Sequence, residues 1–238
     1  MDKLHLEKHI SHQFDVDLEE LKSQALEMGG LVEQQIIDAV SAIEHGDSDI
    51  AERVIKVEDD IDLREVALDE ACTNVLACRQ PAASDLRLVL TVTKMTRDLE
   101  RIGDEAHKIA KMALALHESA DGLTGYEEAR HMGALVQRMM QQVLDAFARF
   151  DVEKALDVAK ADKQVDREYK SAMRELVTYM MEDPRSISRS MNILWTLRSL
   201  ERIGDHARNI AEHVIFLVKG LDVRHSSIKE MERQLNKR

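Results

Sequence analysis

The sequence predicts an all-α protein made of two tandem, sequence-related three-helix bundles with six long helices. Only 2 prolines and 9 glycines interrupt the 238 residues, so stretches rich in alanine, leucine, glutamate and lysine can stay helical. Pro81 and Pro184 lie in equivalent turns of the two halves. The stretches RDLERIGDEAHKIAK (97–111) and RSLERIGDHARNIAE (198–212) share the hexamer LERIGD, which indicates an internal duplication.

The first bundle is predicted over residues 1–118, after a short N-terminal arm. Its first helix is expected over about 17–45, because Asp17 is typical of an N-cap and Val16 and Leu21 are spaced as a hydrophobic staple. The second helix is predicted over about 47–80. The third is predicted over 81–117, since proline is tolerated in the first turn of a helix.

The boundary between the halves is predicted at residues 119–125, which contain two glycines and the start of a capping box, Thr124 with Glu127. The second bundle is predicted over 126–238. Its helices are expected over about 126–150, 152–182 and 184–219, followed by a C-terminal tail. Short connections make neighbouring helices antiparallel.

The charge and hydropathy of the chain narrow the classes of function. A formal net charge of −12 disfavours nucleic acid as a partner, because phosphate backbones are bound by clustered lysine and arginine. No apolar run approaches the ~18 residues of a membrane span, and MDKLHLEKHI lacks the apolar core of a secretory signal. We therefore expect a soluble cytoplasmic protein.

Cys72 and Cys78 are interpreted as packing residues, because two thiols alone make no zinc site.

The third and sixth helices carry a regular apolar seam, in which steps of four and three alternate as at core positions of a packed bundle. In the third helix the seam is Leu88, Val92, Met95, Leu99, Ile102, Ala106, Ile109, Ala113 and Leu116. In the sixth it is Ile193, Leu200, Ile203, Ala207, Ile210, Val214 and Leu217, interrupted at Thr196. Glu100 and Asp104 lie outside the first seam, and Glu201 and Asp205 lie outside the second. We expect these acid pairs to project outward into shallow surface grooves.

A second set of acids has the same four-residue spacing. Glu58 and Asp62 lie on the second helix, and Asp162 and Asp166 lie at the corresponding place on the fifth. In an antiparallel bundle the middle of one helix can lie beside the middle of the next, so four carboxylates could converge on one groove per bundle. Ligation by oxygen alone suits hard cations such as Mg²⁺, Ca²⁺, Mn²⁺ or iron.

Two other interpretations of the acids must be weighed. A solvated acidic face, neutralised by neighbouring basic side chains, explains the spacing without any ligand, and the residues alone do not decide between the two. A buried di-iron centre is disfavoured, because its acids would point inward and neither repeat has a Glu-x-x-His at the matching position. Gly103 and Gly204 each cost ~1 kcal/mol relative to alanine in mid-helix, which indicates a close approach of backbone or ion.

The sequence resembles the PhoU family of phosphate-transport accessory proteins and regulators. The resemblance runs essentially end to end, through MGGLVEQQIIDA (28–39), EACTNVLACRQPAASDLRLVL (70–90), both LERIGD copies and FLVKG (216–220). It implies two symmetric three-helix bundles, a homodimer, and metal ions at the E(D)-xxx-D motifs formed by the four acid pairs. Metal content varies within the family, so the ions could be absent.

The resemblance also implies negative regulation of the phosphate-starvation response, the Pho regulon. In that role the protein would couple the ATPase subunit of the phosphate ABC transporter to a membrane sensor histidine kinase. The sequence has no Gly-rich phosphate loop, no GxSxG and no convincing cysteine–histidine arrangement, which favours a regulatory adaptor over an enzyme. Two alternatives are a metal-dependent enzyme that activates water on a phosphate ester and a metal store or sensor.

Overall fold

The computed structural model describes residues 12–118 and 126–236. Over those residues it contains seven α-helices, a 3₁₀ turn at Pro184–Ser186 and no strand, which confirms the predicted all-α class. The helices are α1 (His12–His45), α2 (Ser48–Arg79), α3 (Ala83–Glu118), α4 (Tyr126–Arg149), α5 (Val152–Glu182), α6 (Ile187–Lys219) and α7 (Ile228–Asn236). None of these described helices is both long enough and apolar enough to cross a membrane.

The six long helices form two groups of three that share one apolar core. Helices α1, α2 and α3 pack on one another, and so do α4, α5 and α6. The two groups meet where α1 packs on α4 and where α3 packs along α6, in the most extensive contact between any two helices. Helices α3 and α6 run antiparallel, because Arg87 Nε donates to the carbonyl of Leu217 at 2.9 Å while Glu105 pairs with Arg202.

The predicted apolar seams form the core of both groups. Every seam residue of α3 and α6 is buried, and so is Thr196, whose hydroxyl donates to the Asn192 carbonyl in the same helix. A further set of polar residues is buried where α3 and α6 face each other, which the seam pattern did not predict. Its members include Thr91, Glu105 and His213. The two central helices are therefore buried on two sides.

The N-terminus of α1 differs from the prediction. The chain is already helical from His12, so Asp17 lies inside α1 and is not its N-cap. Instead, the Asp17 carboxylate accepts a hydrogen bond at 2.8 Å from Nε of Arg79, near the end of α2. Val16 is exposed, so the predicted hydrophobic staple is wrong as well. Asp17 therefore marks a contact between α1 and α2, not the start of a helix.

Other helix ends follow the duplication. Asp47 caps α2 by accepting from the Ile50 amide at 3.1 Å, and Asp151 caps α5 by accepting from the Lys154 amide at 3.0 Å. Pro81 lies before α3, and Pro184 opens the 3₁₀ turn, so neither proline lies within the α-helix that it was predicted to open.

Residues 119–125 lie outside the described residues, so the linker, the Thr124 capping box and the domain boundary stay predictions.

The C-terminal tail contains a helix that was not predicted from the sequence, α7, which packs on α5. Ile228 and Met231 anchor it because both are buried.

The two mid-helix glycines meet different surroundings. A Cβ at Gly103 would lie 3.1 Å from Cδ1 of Ile61 and 3.2 Å from Oε1 of Gln35, whereas a Cβ at Gly204 would lie 3.4 Å from Cγ1 of Val165. The close approach expected from the sequence therefore occurs at Gly103, between α2 and α3. At Gly204 there is room for a methyl group at an ordinary contact distance.

Because of this difference, replacing each glycine by alanine should change the free energy of unfolding differently. Gly204→Ala should raise the free energy of unfolding by about 1 kcal/mol, because alanine costs less backbone entropy in a helix. Gly103→Ala should gain less or lose stability, since Ile61 and Gln35 must shift to admit the methyl group. Urea unfolding of the two variants measures this, and a larger gain at position 103 than at 204 would contradict the packing described.

Candidate functional site

Helices α5 and α6 carry the first of two acidic clusters, the α5–α6 acidic cluster. Asp162 and Asp166 come from α5, and Glu201 and Asp205 come from α6. Burial raises the pKa of Glu201, and the charges of Asp205, Asp166 and Asp162 raise it further. Burial and the charge of Asp166 likewise raise the pKa of Asp205. The structure therefore brings together the four acids that the sequence assigned to the second half.

Asp162 departs from the expectation that the acids converge in an open groove. Asp162 is only 4% exposed, and its carboxylate accepts a hydrogen bond at 3.1 Å from Nη1 of Arg208. Arg208 also donates through Nε to Glu212, again at 3.1 Å. Burial raises the pKa of Asp162 in spite of the arginine. Asp162 is thus the buried floor of the cluster, while Asp205 is exposed at its rim.

Helices α2 and α3 carry the matching α2–α3 acidic cluster, formed by Asp62, Glu65, Glu100 and Asp104. Burial raises the pKa of Glu100, and the neighbouring charge of Asp104 adds to this, with smaller contributions from Glu65 and Asp62. Burial and the charges of Asp69 and Asp62 raise the pKa of Glu65. Like charges therefore crowd together here too, and they disfavour ionisation of Glu100 and Glu65.

The membership of this cluster differs from the prediction at one position. Glu58, which was expected to join Asp62, contacts Nδ1 of His107 on the next turn of α3. Glu65 takes its place beside Glu100. The packing of Ile61 against Gly103 sets this register, since it places residue 65 opposite residue 100 and residue 58 opposite residue 107. A search for acids three as well as four residues from Asp62 would have found Glu65.

An arginine holds part of each cluster. Arg101 lies 3.2 Å from Glu100 and 3.6 Å from Asp104, and Nη1 of Arg198 donates to both carboxylate oxygens of Glu201 at 2.7 Å. Within residues 12–118 and 126–236, no three His, Cys, Asp or Glu side chains are gathered closely enough to hold one metal ion. The acids form oxygen-only donor sets with crowded negative charge, which suits a hard cation that takes the place of the arginine head groups.

A third polar cluster lies between the two groups of helices and was missed in the sequence. Asp98 of α3 accepts hydrogen bonds from three residues of α6: His206 at 2.8 Å, Asn209 at 3.1 Å and His213 at 3.1 Å. Burial opposes ionisation of Asp98, but these hydrogen bonds outweigh it and hold its pKa below the ordinary value of 3.8. The second repeat has Ser199 at the equivalent position. No pattern within one helix signals such a cluster, because its members meet only across the α3–α6 contact.

Comparison with known proteins matches both halves of the chain to one family model. The model, described as the PhoU domain, matches residues 25–113 and again residues 129–214. Each match spans most of one group of three long helices. The duplication inferred from the LERIGD hexamers is therefore a duplication of a known domain.

Relatives match over nearly the whole length. A phosphate-specific transport system accessory protein PhoU homolog from Pseudomonas aeruginosa is 58% identical over 230 residues, which cover 97% of this chain and 95% of the relative. The accessory protein PhoU of Escherichia coli is 46% identical over 237 residues, covering 99% and 97%.

Solved structures agree with the same assignment. The crystal structure of PhoU from Pseudomonas aeruginosa superposes with a TM-score of 0.86 at 59% identity, covering 88% of this chain and 100% of that one. The phosphate transport system regulatory protein PhoU from Streptococcus pneumoniae gives a TM-score of 0.81 at 33% identity, covering 88% and 98%. By domain content, sequence and fold, the chain belongs to the PhoU family.

Proposed function

We propose that this protein is a cytoplasmic regulator of phosphate homeostasis that keeps the Pho regulon repressed when phosphate is plentiful. It acts as a homodimer and couples the ATPase subunit of the phosphate ABC transporter to a membrane sensor histidine kinase, without catalysing a reaction itself. The observation that carries this proposal is the near full-length identity to accessory proteins of phosphate-specific transport systems.

Removal of the gene from its host tests the regulatory role. Alkaline phosphatase activity in phosphate-rich medium should rise severalfold in the deletion strain and return to the parental level when the intact gene is supplied. In phosphate-poor medium the deletion strain and its parent should differ little, because the response is then already active. Phosphatase activity that stays low in the deletion strain under phosphate-rich conditions would rule the role out.

We further propose that the two acidic clusters bind hard cations, Mg²⁺, Mn²⁺, Ca²⁺ or iron. The support is the pairing of oxygen donors on adjacent helices, and the raised pKa of Glu100, Glu201 and Asp205, whose mutual repulsion a cation relieves. Glu201 and Asp205 would be the principal ligands in the second half and Glu100 and Asp104 in the first. Asp62, Asp166 and Glu65 would complete the shells, whereas Glu58 and Asp162 are held by His107 and Arg208.

The double variant Glu201→Gln/Asp205→Asn should lose the metal of the α5–α6 acidic cluster. Elemental analysis of protein purified without chelators measures this. A matched control is Glu153→Gln/Asp157→Asn, which removes two exposed α5 carboxylates of the same spacing and should keep the metal content of the wild type. Equal metal in the Glu201/Asp205 variant and the wild type would show that the ion binds elsewhere.

The same variant has a second readout in the presence of chelator. Because burial and neighbouring charges raise the pKa of Glu201 and Asp205, their ionisation destabilises the fold above the folded-state pKa. The metal-free variant should therefore be more stable than the metal-free wild type at pH 7. The difference should shrink as the pH falls through those raised pKa values and the carboxyl groups become neutral.

A further inference from the structure

A basic cleft lies between the two groups of helices, beside the Asp98 cluster. Its volume is about 690 Å³, within the range of small-molecule sites. We define it by its five cationic side chains, which come from three elements. These are Lys94 and Arg97 of α3, Arg202 and Arg208 of α6, and Arg224 of the segment after α6.

The cleft gathers cationic side chains in a chain that is acidic overall. Five lysine and arginine side chains line it against three carboxylates, in a chain whose net charge is −12. Two of those carboxylates are occupied by partners within the fold, since Asp98 accepts from the α6 residues and Glu212 accepts from Arg208. Three of the cations are paired as well: Arg202 with Glu105, Arg208 with Asp162 and Glu212, and Arg224 with Asp222. The unpaired positive charge of the cleft, as far as its described residues go, is therefore that of Lys94 and Arg97.

Two of the five cations are not neutralised by an ion pair among the described residues. In the described part of the chain neither Lys94 nor Arg97 forms an ion pair with a carboxylate; Lys94 Nζ lies 5.3 Å from the centre of the Phe216 ring, and Arg97 is exposed. Arg202 contacts Glu105 at 2.8 Å, yet its side chain remains 44% exposed. The mouth of the cleft thus presents guanidinium and ammonium groups with hydrogen-bonding capacity for another molecule.

The duplication reproduces only part of the basic cleft. A shift of 101 residues relates the LERIGD copies, and it places Trp195 opposite Lys94 in the alignment of the repeats. It also pairs Arg208 with His107, and His206 with Glu105. The same shift pairs Arg97 with Arg198 and Arg202 with Arg101, so the equivalent surface keeps two arginines but has Trp195 and His107 in place of Lys94 and Arg208. The cleft adjoins the α5–α6 acidic cluster, because Asp205 lines both and Arg208 binds Asp162.

We propose that the basic cleft binds a small, multiply phosphorylated anion through its triphosphate group. Guanidinium groups bind phosphate oxygens with two parallel hydrogen bonds, and lysine adds a compact point charge. Lys94 and Arg97 are about one helical turn apart, roughly 4.5 Å along α3, so they can meet successive phosphates of one chain. A ligand held by α3, α6 and Arg224 at once bridges both halves of the protein.

A short phosphate chain fits better than a long polyanion. A small ligand can contact the unpaired cations of the cleft alone, whereas a nucleic acid would also lie along the acidic surface beyond it. The triphosphate could be inorganic triphosphate or that of a nucleoside triphosphate. The proposal does not rest on the regulatory role or on metal binding by the acidic clusters.

Titration calorimetry of the full chain tests the proposal, after chelator treatment and dialysis so that no divalent ion bridges ligand and carboxylates. The ligands are inorganic triphosphate, ATP and citrate, a multiply charged anion without phosphate. We expect saturable binding of triphosphate and much weaker binding of citrate. ATP binding more tightly than triphosphate would support the cleft as a nucleotide site, and triphosphate binding as tightly or more tightly would support an inorganic ligand.

The double variant Lys94→Gln/Arg97→Gln should weaken triphosphate binding by about tenfold or more, because it removes both unpaired cations and their charge-assisted hydrogen bonds. Arg138→Gln, which removes an exposed arginine of α4, should bind like the wild type. Urea unfolding of both variants establishes that they are folded. Unchanged binding in the double variant, equal binding of citrate, or no binding of either triphosphate ligand would overturn the proposal.

Discussion

Asp98→Ala should lower the free energy of unfolding by about 3 kcal/mol at pH 7, one of the two largest effects expected for a single substitution here. Asp98 is mostly buried between α3 and α6, and its two carboxylate oxygens accept hydrogen bonds from His206, Asn209 and His213. Removal of the carboxylate leaves these three polar groups without their partner in the contact that joins the two halves. Their desolvation is then uncompensated.

The pH dependence of this effect follows from the lowered pKa of Asp98. A carboxyl group whose folded-state pKa is depressed stabilises the fold above its unfolded-state value, and that stabilisation disappears as the pH falls through the folded-state pKa. Because this lies below the ordinary value of 3.8, the deficit of Asp98→Ala should not shrink between pH 7 and about pH 5. Urea unfolding at both pH values measures it.

Ser199→Ala is the matched control, since Ser199 occupies the equivalent buried position of the second repeat. Its loss should be far smaller, because a neutral hydroxyl and not a buried charge is removed. Similar losses in Ser199→Ala and Asp98→Ala would mean that the carboxylate contacts contribute little and that the cost comes from repacking the helices.

The Asp98 cluster also shows where sequence reasoning stops. The seam of α3 could be predicted completely, because the alternation of steps of four and three lies within one helix and every seam residue is buried. The second buried face of α3 could not, since it exists only because α6 packs against it. Asp98 is 108 to 115 residues from its partners in the sequence, and no local pattern encodes such a contact.

The acidic clusters show the same limit at closer range. All four acids assigned to the α5–α6 acidic cluster lie within electrostatic range of one another, because spacing along one helix determines which side chains share a face. The structure places Glu65 near Glu100 and Glu58 against His107, which spacing could not predict because it does not determine how far α2 is shifted along α3. The contact of Ile61 with Gly103 determines that register, and it depends on the shape of both surfaces.

The helix ends show a third kind of error. Asp17 with Glu20 fits the N-terminal capping pattern, yet α1 already extends past it toward the N-terminus. The carboxylate of an aspartate can either cap its own helix or pair with a side chain of a neighbouring helix. The sequence cannot distinguish these two roles, because it does not show which residue lies opposite the aspartate. Arg79, 62 residues later, is what lies opposite.

Arg208→Met should also lower the free energy of unfolding by about 3 kcal/mol at pH 7, because it leaves two buried carboxylates without their cation. Asp162 and Glu212 are 4% and 6% exposed, and Arg208 hydrogen-bonds both. Methionine fills much of the arginine volume, so the loss reports on charge more than on packing. Arg138→Met, at an exposed position of α4, should change stability little.

The deficit of Arg208→Met should depend on pH in a higher range than that of Asp98→Ala. Burial already raises the pKa of Asp162 and Glu212, and the loss of the guanidinium raises both further. Carboxyl groups with raised folded-state pKa values destabilise the fold above those values and cease to do so when protonated. The deficit of Arg208→Met should therefore shrink from pH 7 toward about pH 5, and adding Asp162→Asn and Glu212→Gln should restore most of the stability at pH 7. A deficit that is constant over this range, or that the added amides leave unchanged, would show that the side-chain stem of Arg208, and not its charge, stabilises the contact between α5 and α6.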